Sequence, residues 1–133
     1  MIKIFIDTNI FVSAFFFDGN ERKIVSHRSK NIKYFASEQV TDEIKSVLLN
    51  KFNVNENTVN EYVAKIMLEF RLVTSDYNLN IIVRDEKDTN ILKSSLAANC
   101  KYLITGDKDL LTLKQVEKTK IITSKQLIDE LKL

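Results

Sequence analysis

The sequence predicts an α/β fold in which a parallel sheet is covered by helices on both faces. Three observations predict it. Short apolar runs rich in Ile, Val, Phe and Tyr recur at residues 2–6, 32–36, 80–83, 102–105 and 120–123, and such runs read as buried strands. Segments with helical period lie between them, and strands alternating with helices build a parallel sheet between two helical layers. The 133 residues contain no proline, only Gly19 and Gly106 as glycines, and no linker, repeat or low-complexity tract. That length and continuity predict one domain over 1–133.

The elements follow in order. Ile2-Lys3-Ile4-Phe5-Ile6 forms the first strand, and Asp7-Thr8-Asn9 opens a helix through Phe11 and Val12. The aromatic run Phe15, Phe16, Phe17 is more often core than interface. Ser37 caps a helix that carries Val40, Ile44, Val47 and Leu48 on one stripe, with Glu43 on its flank and Asp42 nearly opposite. A longer helix over about 56–72 presents Val59, Tyr62, Val63, Ile66, Met67 and Phe70. These two consecutive helices form a projection beside the sheet. A helix over about 89–99 follows the run at 80–83. After the strand at 102–105, Gly106 lets the chain turn sharply, and Asp109 with Leu110 and Leu111 starts another helical turn. The run at 120–123 and a helix over about 124–131 complete the order.

Composition excludes several classes. Hydrophobic residues make up 44% and charged residues 29%, an ordinary globular balance. No apolar run reaches the roughly 18 residues of a membrane helix. The amino terminus begins with a strand-like segment and shows no basic region, apolar region or cleavage site of a secretory leader, so the expected location is the cytoplasm. Cys100 is the sole cysteine and His27 the sole histidine. An intrachain disulfide is therefore impossible, a structural zinc site is excluded, and a thiol or serine triad lacks support. Cys100 is expected to be a small buried hydrophobe. Net charge is +2, yet Arg22, Lys23, Arg28, Lys30 and Lys33 fall in one stretch without an acid. That stretch is either a solvated face or a contact for phosphates.

Four acids stand at element junctions: Asp7, Glu43, Asp88 and Asp107. Asp7 and Asp107 close two strand-like runs, and strand ends of a parallel sheet converge on the edge where such sheets bind ligands. Each acid has a plain alternative. Asp7, Asp88 and Asp107 suit helix caps, and Glu43 suits a flank that reaches water. Taken together they imply strong repulsion. Two like charges about 4 Å apart repel by about 4 kcal/mol at an effective dielectric of 20. Several such pairs rival a whole domain's stability of about 5–15 kcal/mol. A convergent cluster should bind a cation or raise some of its pKa values. An all-oxygen set favours Mg²⁺ or Mn²⁺.

With those residues quoted, the sequence resembles the PIN-domain family of metal-dependent ribonucleases. The resemblance rests on Ile6-Asp7-Thr8-Asn9, on Val40-Thr41-Asp42-Glu43-Ile44 with Val47-Leu48, on Asp85-Glu86-Lys87-Asp88 with Ile91-Leu92, and on Leu103-Ile104-Thr105-Gly106-Asp107-Lys108-Asp109-Leu110-Leu111. It covers essentially the full chain and looks most like the small stand-alone toxins of toxin–antitoxin pairs. It implies a three-layer α/β/α domain with a five-stranded parallel sheet and the acids above its carboxyl edge. It implies a Mg²⁺- or Mn²⁺-dependent endonuclease acting on single-stranded RNA, with a cognate antitoxin and a homodimeric state. Asp7, Glu43, Asp88 and Asp107 take the family's acidic positions as metal-holding catalytic residues, and Asp109 assists through a water. Thr8, Asn9 and Thr105 orient ligands or waters. Arg22, Lys23, Arg28, Lys30 and Lys33 are candidates to track the RNA backbone. The family segment Asp-Pro-Asp-Asp reads Asp85-Glu86-Lys87-Asp88 here, so a lysine replaces one acid near the site.

Two other classes compete. A PIN-like module that binds RNA or protein without cutting would lack metal-dependent turnover. A phosphoryl-transfer domain with an Asp nucleophile would want Asp-x-Asp or an acidic pair at the first strand, where this chain has Asp7-Thr8-Asn9.

Overall fold

The computed structural model describes residues 1–74, 77–80 and 83–133. Strands β1 (Ile2–Ile6), β2 (Ile32–Ser37), β3 (Arg71–Val73), β4 (Tyr102–Ile104), β5 (Gln115–Val116) and β6 (Thr119–Ile122) form one sheet in the order β3-β2-β1-β4-β6-β5. The first five strands in that order pair in parallel, and β5 joins β6 antiparallel. From β1 the chain steps outward through β2 and β3 on one side and through β4 and β6 on the other. The strand order therefore reverses between β1 and β4, the crevice where open α/β sheets place ligands. Asp7 and Asp107 follow those two strands, and the Asp7 N–H donates to the Ile104 carbonyl at 3.0 Å.

The helices are α1 (Thr8–Phe16), α2 (Asn20–Ser26), α3 (Glu38–Ser46), α4 (Glu56–Glu69), α5 (Glu86–Ala97), α6 (Lys108–Leu113) and α7 (Ser124–Leu131). Helices α1 to α4 pack in series, α1 on α2 and α3 and α3 on α4, while α5 packs on β2 and β4. Ile4, Phe5, Ile6, Leu103 and Ile104 are fully buried, as central strands covered on both faces require. Phe11 seals one side, with its ring edge-on to Phe70 at 5.0 Å. Helix α3 runs on into a π-helical turn, Val47–Lys51, which keeps Leu48 buried. Cys100 is buried, and burial pushes its thiol up to about 12, which leaves it inert as a nucleophile.

The expected α/β class and helical layers are present, and the differences in detail are instructive. The sheet has six strands, five of them parallel. The parallel edge strand is β3; of the run expected at 80–83, residues 81 and 82 lie outside the described residues, and Asn80 and Val83 lie in no strand. The helix expected over 56–72 stops at Glu69. Phe70 is extended at φ −108° and ψ 146°, and Arg71–Val73 then pairs with Phe35–Ser37. Helix α5 begins at Glu86 rather than near Thr89, with Asp85 as its cap. The aromatic run is divided. The Phe15 ring packs on Tyr62 at 5.0 Å, whereas Phe16 and Phe17 are exposed because α1 ends beside them.

Candidate metal centre

Asp7 is the N-cap of α1, and both its oxygens are held. Oδ1 accepts from the Thr8 N–H at 2.7 Å, and Oδ2 accepts from the Thr105 hydroxyl at 2.7 Å. Capping thus explains only one oxygen. The residue is 5% exposed, and burial drives its pKa up to about 6. The two hydrogen bonds oppose that rise, while the charges of Glu43 and Asp107 add to it.

Thr105 also accepts from the Asp107 N–H at 3.0 Å, so one buried hydroxyl ties together the ends of β1 and β4. Asp107 caps α6, its Oδ1 accepting from the N–H groups of Asp109 and Leu110 at 2.8 and 3.3 Å. Thr105→Val keeps the shape and removes this link. It leaves Asp7 Oδ2 and the Asp107 N–H without their partner. The expected loss is about 2–4 kcal/mol of stability in urea denaturation.

Asp88 does not cap α5. The Asp85 side chain takes that role by accepting from the Lys87 N–H at 2.9 Å. Asp88 therefore sits in the first turn, 9% exposed, with its carboxyl free of cap duty. Burial first, and then the charges of Asp107, Asp7 and Asp85, raise its pKa to about 7, and a hydrogen bond with Asp107 acts in the same direction. Glu43 is half-buried. Its Oε2 accepts from the Thr8 hydroxyl at 2.8 Å, and its Oε1 accepts from Gln39 Nε2 at 2.8 Å. Gln39 also donates to the Lys87 carbonyl at 3.2 Å, which clamps α3 to α5. Sequence reasoning missed Gln39. Its position four residues before Glu43 was the available signal.

Asp7, Thr8, Asn9, Glu43, Asp88 and Asp107 line one cleft of about 250 Å³, joined by Asp85 and Lys87. Within that region one group is tight. Carboxylate oxygens of Asp88, Asp107 and Asp109 lie within 4.8 Å of one another. Asp109 thus joins Asp88 and Asp107 in this group without itself lining the cleft, while Asp7 and Glu43 are held at the cleft by Thr8, Thr105 and Gln39. Arg84 pairs with Asp109 Oδ2 at 3.2 Å. The donor set is entirely oxygen, and burial together with neighbouring acids raises the proton affinities of Asp7 and Asp88, a cost that a bound cation would offset. Both properties fit a hard divalent cation.

The basic stretch does not line this cleft. Arg22 donates to the carbonyls of Ala14 and Phe15 at 2.8 and 2.9 Å, which closes the end of α1. Arg28 pairs with Glu69 and lies over the Phe70 ring at 5.1 Å. Lys30 precedes β2, and Lys33 sits near the start of that strand beside Lys3, at the amino edge of the sheet. Lys23 is exposed on α2. Arg22 and Arg28 thus serve local structure, and none of the five lines the cleft that holds the acids.

Among the described residues no helix is long and apolar enough to cross a membrane. A protein of Methanocaldococcus jannaschii that is itself uncharacterized is 28% identical over 147 residues, spanning 97% of this chain and 91% of its own length. The fold is similar to that of a chain in the crystal structure of VapBC2 from Rickettsia felis bound to a DNA fragment from their promoter. The TM-score is 0.66 at 14% identity, over 92% of this chain and 98% of that one. The PIN domain pattern matches residues 3–109, from the start of β1 through Asp109, and the chain therefore belongs to the PIN domain family, whose members are in general metal-dependent nucleases.

Proposed function

We propose that the protein is a Mg²⁺- or Mn²⁺-dependent endoribonuclease that hydrolyses phosphodiester bonds of single-stranded RNA. One observation carries the reading: Asp7, Glu43, Asp88 and Asp107 line a single cleft at the strand-order reversal, with Asp109 beside them. Asp88, Asp107 and Asp109 are the groups that would hold the cation, with Asp7 completing the site. A divalent ion supplies Lewis-acid chemistry there, activating water near neutral pH and neutralising charge on phosphoryl oxygens. Thr105 and Thr8 fix the Asp7 and Glu43 carboxylates through hydrogen bonds, so these acids are aimed before substrate arrives. Among the described residues, Lys87 is the one cation that lines the cleft and can meet a phosphate there. Attack by water needs no 2′-hydroxyl, so preference for RNA arises in binding.

The likeness in fold to VapBC2 supports a toxin role with a cognate antitoxin. Exposed Phe16 and Phe52, with ring centroids 4.9 Å apart, and the neighbouring Phe17 supply an apolar face for a homodimer. The decisive assay is cleavage of a mixed-sequence fluorogenic RNA with Mg²⁺ or Mn²⁺ and with EDTA, with Asp7→Asn and Asp88→Asn beside the wild type. Cleavage that needs metal and vanishes in both variants is expected. Metal-dependent stabilisation without turnover on any RNA would favour the non-catalytic binding module.

Arg84 gives a further expected result. Its pair with Asp109 is exposed and adds little stability, yet it occupies an oxygen the cation would use. Arg84→Ala should tighten Mn²⁺ binding about two- to fivefold by calorimetry, with the metal-free stability unchanged within about 0.5 kcal/mol.

A further inference from the structure

A second groove, of about 320 Å³, adjoins the acid cleft and shares Asn9 with it. Thr105, Gly106, Ser124 and Lys125 also line it. It lies at the carboxyl edge of the sheet, where β6 runs through Thr123 into α7. Thr123 caps that helix. Its hydroxyl accepts from the Gln126 N–H at 3.2 Å, and the Gln126 side chain accepts from the Thr123 N–H at 2.9 Å. This capping box leaves the N–H groups of Ser124 and Lys125 with no acceptor among the described residues, at the positive end of the helix.

Ser124 is the independent observation. It is 4% exposed, and its Oγ is the sole buried side-chain nitrogen or oxygen among the described residues without a hydrogen-bond partner. Buried hydroxyls are ordinarily paired, so this one is left for a partner that the described residues do not supply, a water or a ligand oxygen. Lys125 is exposed and joins no ion pair among the described residues. The one acid lining the groove among the described residues, Glu21, accepts from the Ser13 hydroxyl at 3.1 Å. Two free backbone donors, a free hydroxyl and an ammonium suit a tetrahedral anion.

We propose that this groove is a phosphate subsite, in which the first turn of α7, the Ser124 hydroxyl and the Lys125 ammonium take a backbone phosphodiester flanking the one presented to the acids. The proposal rests on the nucleic-acid reading above. It places the strand across the Thr105–Gly106 turn, through the contact of Asn9 with both cavities. It also supplies anchoring charge that Arg22, Lys23, Arg28, Lys30 and Lys33 do not bring to the cleft.

Fluorescence anisotropy of a short fluorescein-labelled single-stranded RNA, titrated in EDTA at several salt concentrations, tests it. Ser124→Asp suits a helix start, so the fold is retained while a phosphate is opposed. It should weaken binding about tenfold or more. Ser124→Ala should weaken binding about threefold, with a melting temperature equal to or above that of the wild type because an unpaired buried hydroxyl is gone. Lys125→Ala should reduce the slope of affinity against salt by about one. Wild-type affinity in both Ser124 variants overturns the proposal, even if Lys125→Ala binds less well, since that lysine would then act only through the general field. In that case RNA binding and cleavage by the wild type leave the nuclease reading standing. Absence of RNA binding by the wild type overturns both. If Ser124→Asp fails to fold, Ser124→Ala decides.

Discussion

Asp7→Asn should lower metal-dependent RNA cleavage by about a hundredfold or more while raising the melting temperature of the metal-free protein at pH 7.5. The two effects have one origin. Asp7 is almost fully buried at the junction of β1 and α1, and burial lifts its pKa from 3.8 to about 6. A rise of about two units is a penalty of about 3 kcal/mol on the charged form in the folded state. Asparagine retains the shape and the cap on Thr8, and the Thr105 hydroxyl can rotate to accept from its amide. The charge penalty disappears. Weaker neutral hydrogen bonds offset part of the gain, which leaves about 1–2 kcal/mol, or roughly 4–8 °C.

Opposite signs in one variant separate function from architecture. A residue retained for the fold alone would lose stability on substitution, and its activity would fall only as the folded fraction fell. Asp7 instead carries a charge that the fold tolerates at a cost and that, in the proposed function, a cation would use. Calorimetry and single-turnover cleavage on the same preparation check this. A variant that loses both stability and activity would make Asp7 a structural cap.

Asp7 and Asp107 were legible because each ends an apolar strand-like run, and a parallel sheet brings such ends to one edge. Glu43 was legible from its angle on the helix. Asp88 was legible as an acid at the start of a helix, but whether it capped was not. Asp85 and Asp88 both suit a cap, and only the three-dimensional path shows that Asp85 takes the role and leaves Asp88 free. Asp109 illustrates the converse. It lies just beyond Asp107 in a short helix, and the tight approach of its carboxylate to Asp88 depends on how α5 is set against β4. Strand β3 was hidden because Phe70 and Leu72 continue the apolar spacing of α4. The chain leaves the helix there because the edge of β2 offers pairing partners far away in sequence. Strand β5 has two residues, too few for any period. The place of the basic stretch was not legible because charge density along the chain says nothing about the edge of the sheet it reaches. Arg22 and Arg28 are committed to carbonyls and Glu69, partners invisible in one dimension.

The metal-free protein should be more stable at pH 5.5 than at pH 7.5, and saturating Mn²⁺ should reverse that order. In the unfolded chain Asp7 and Asp88 both titrate at the ordinary carboxyl value of 3.8, and in the folded protein they titrate at about 6 and about 7. Between those limits the native state binds more protons than the unfolded chain. Its stability from these groups is therefore full below about pH 4 and falls as pH rises through 6 and 7. The cation needs the deprotonated forms, so its own stabilisation grows over the same interval. At a concentration a hundred times its dissociation constant it adds about 2.7 kcal/mol. The Asp7→Asn/Asp88→Asn double variant removes the two carboxyls that carry this dependence. Its melting temperature should lose most of the pH dependence seen in the wild type and should not respond to Mn²⁺. A wild-type slope that survives in the double variant would assign the pH dependence to groups outside this cleft. A Mn²⁺ response that survives there would move the cation away from this cleft.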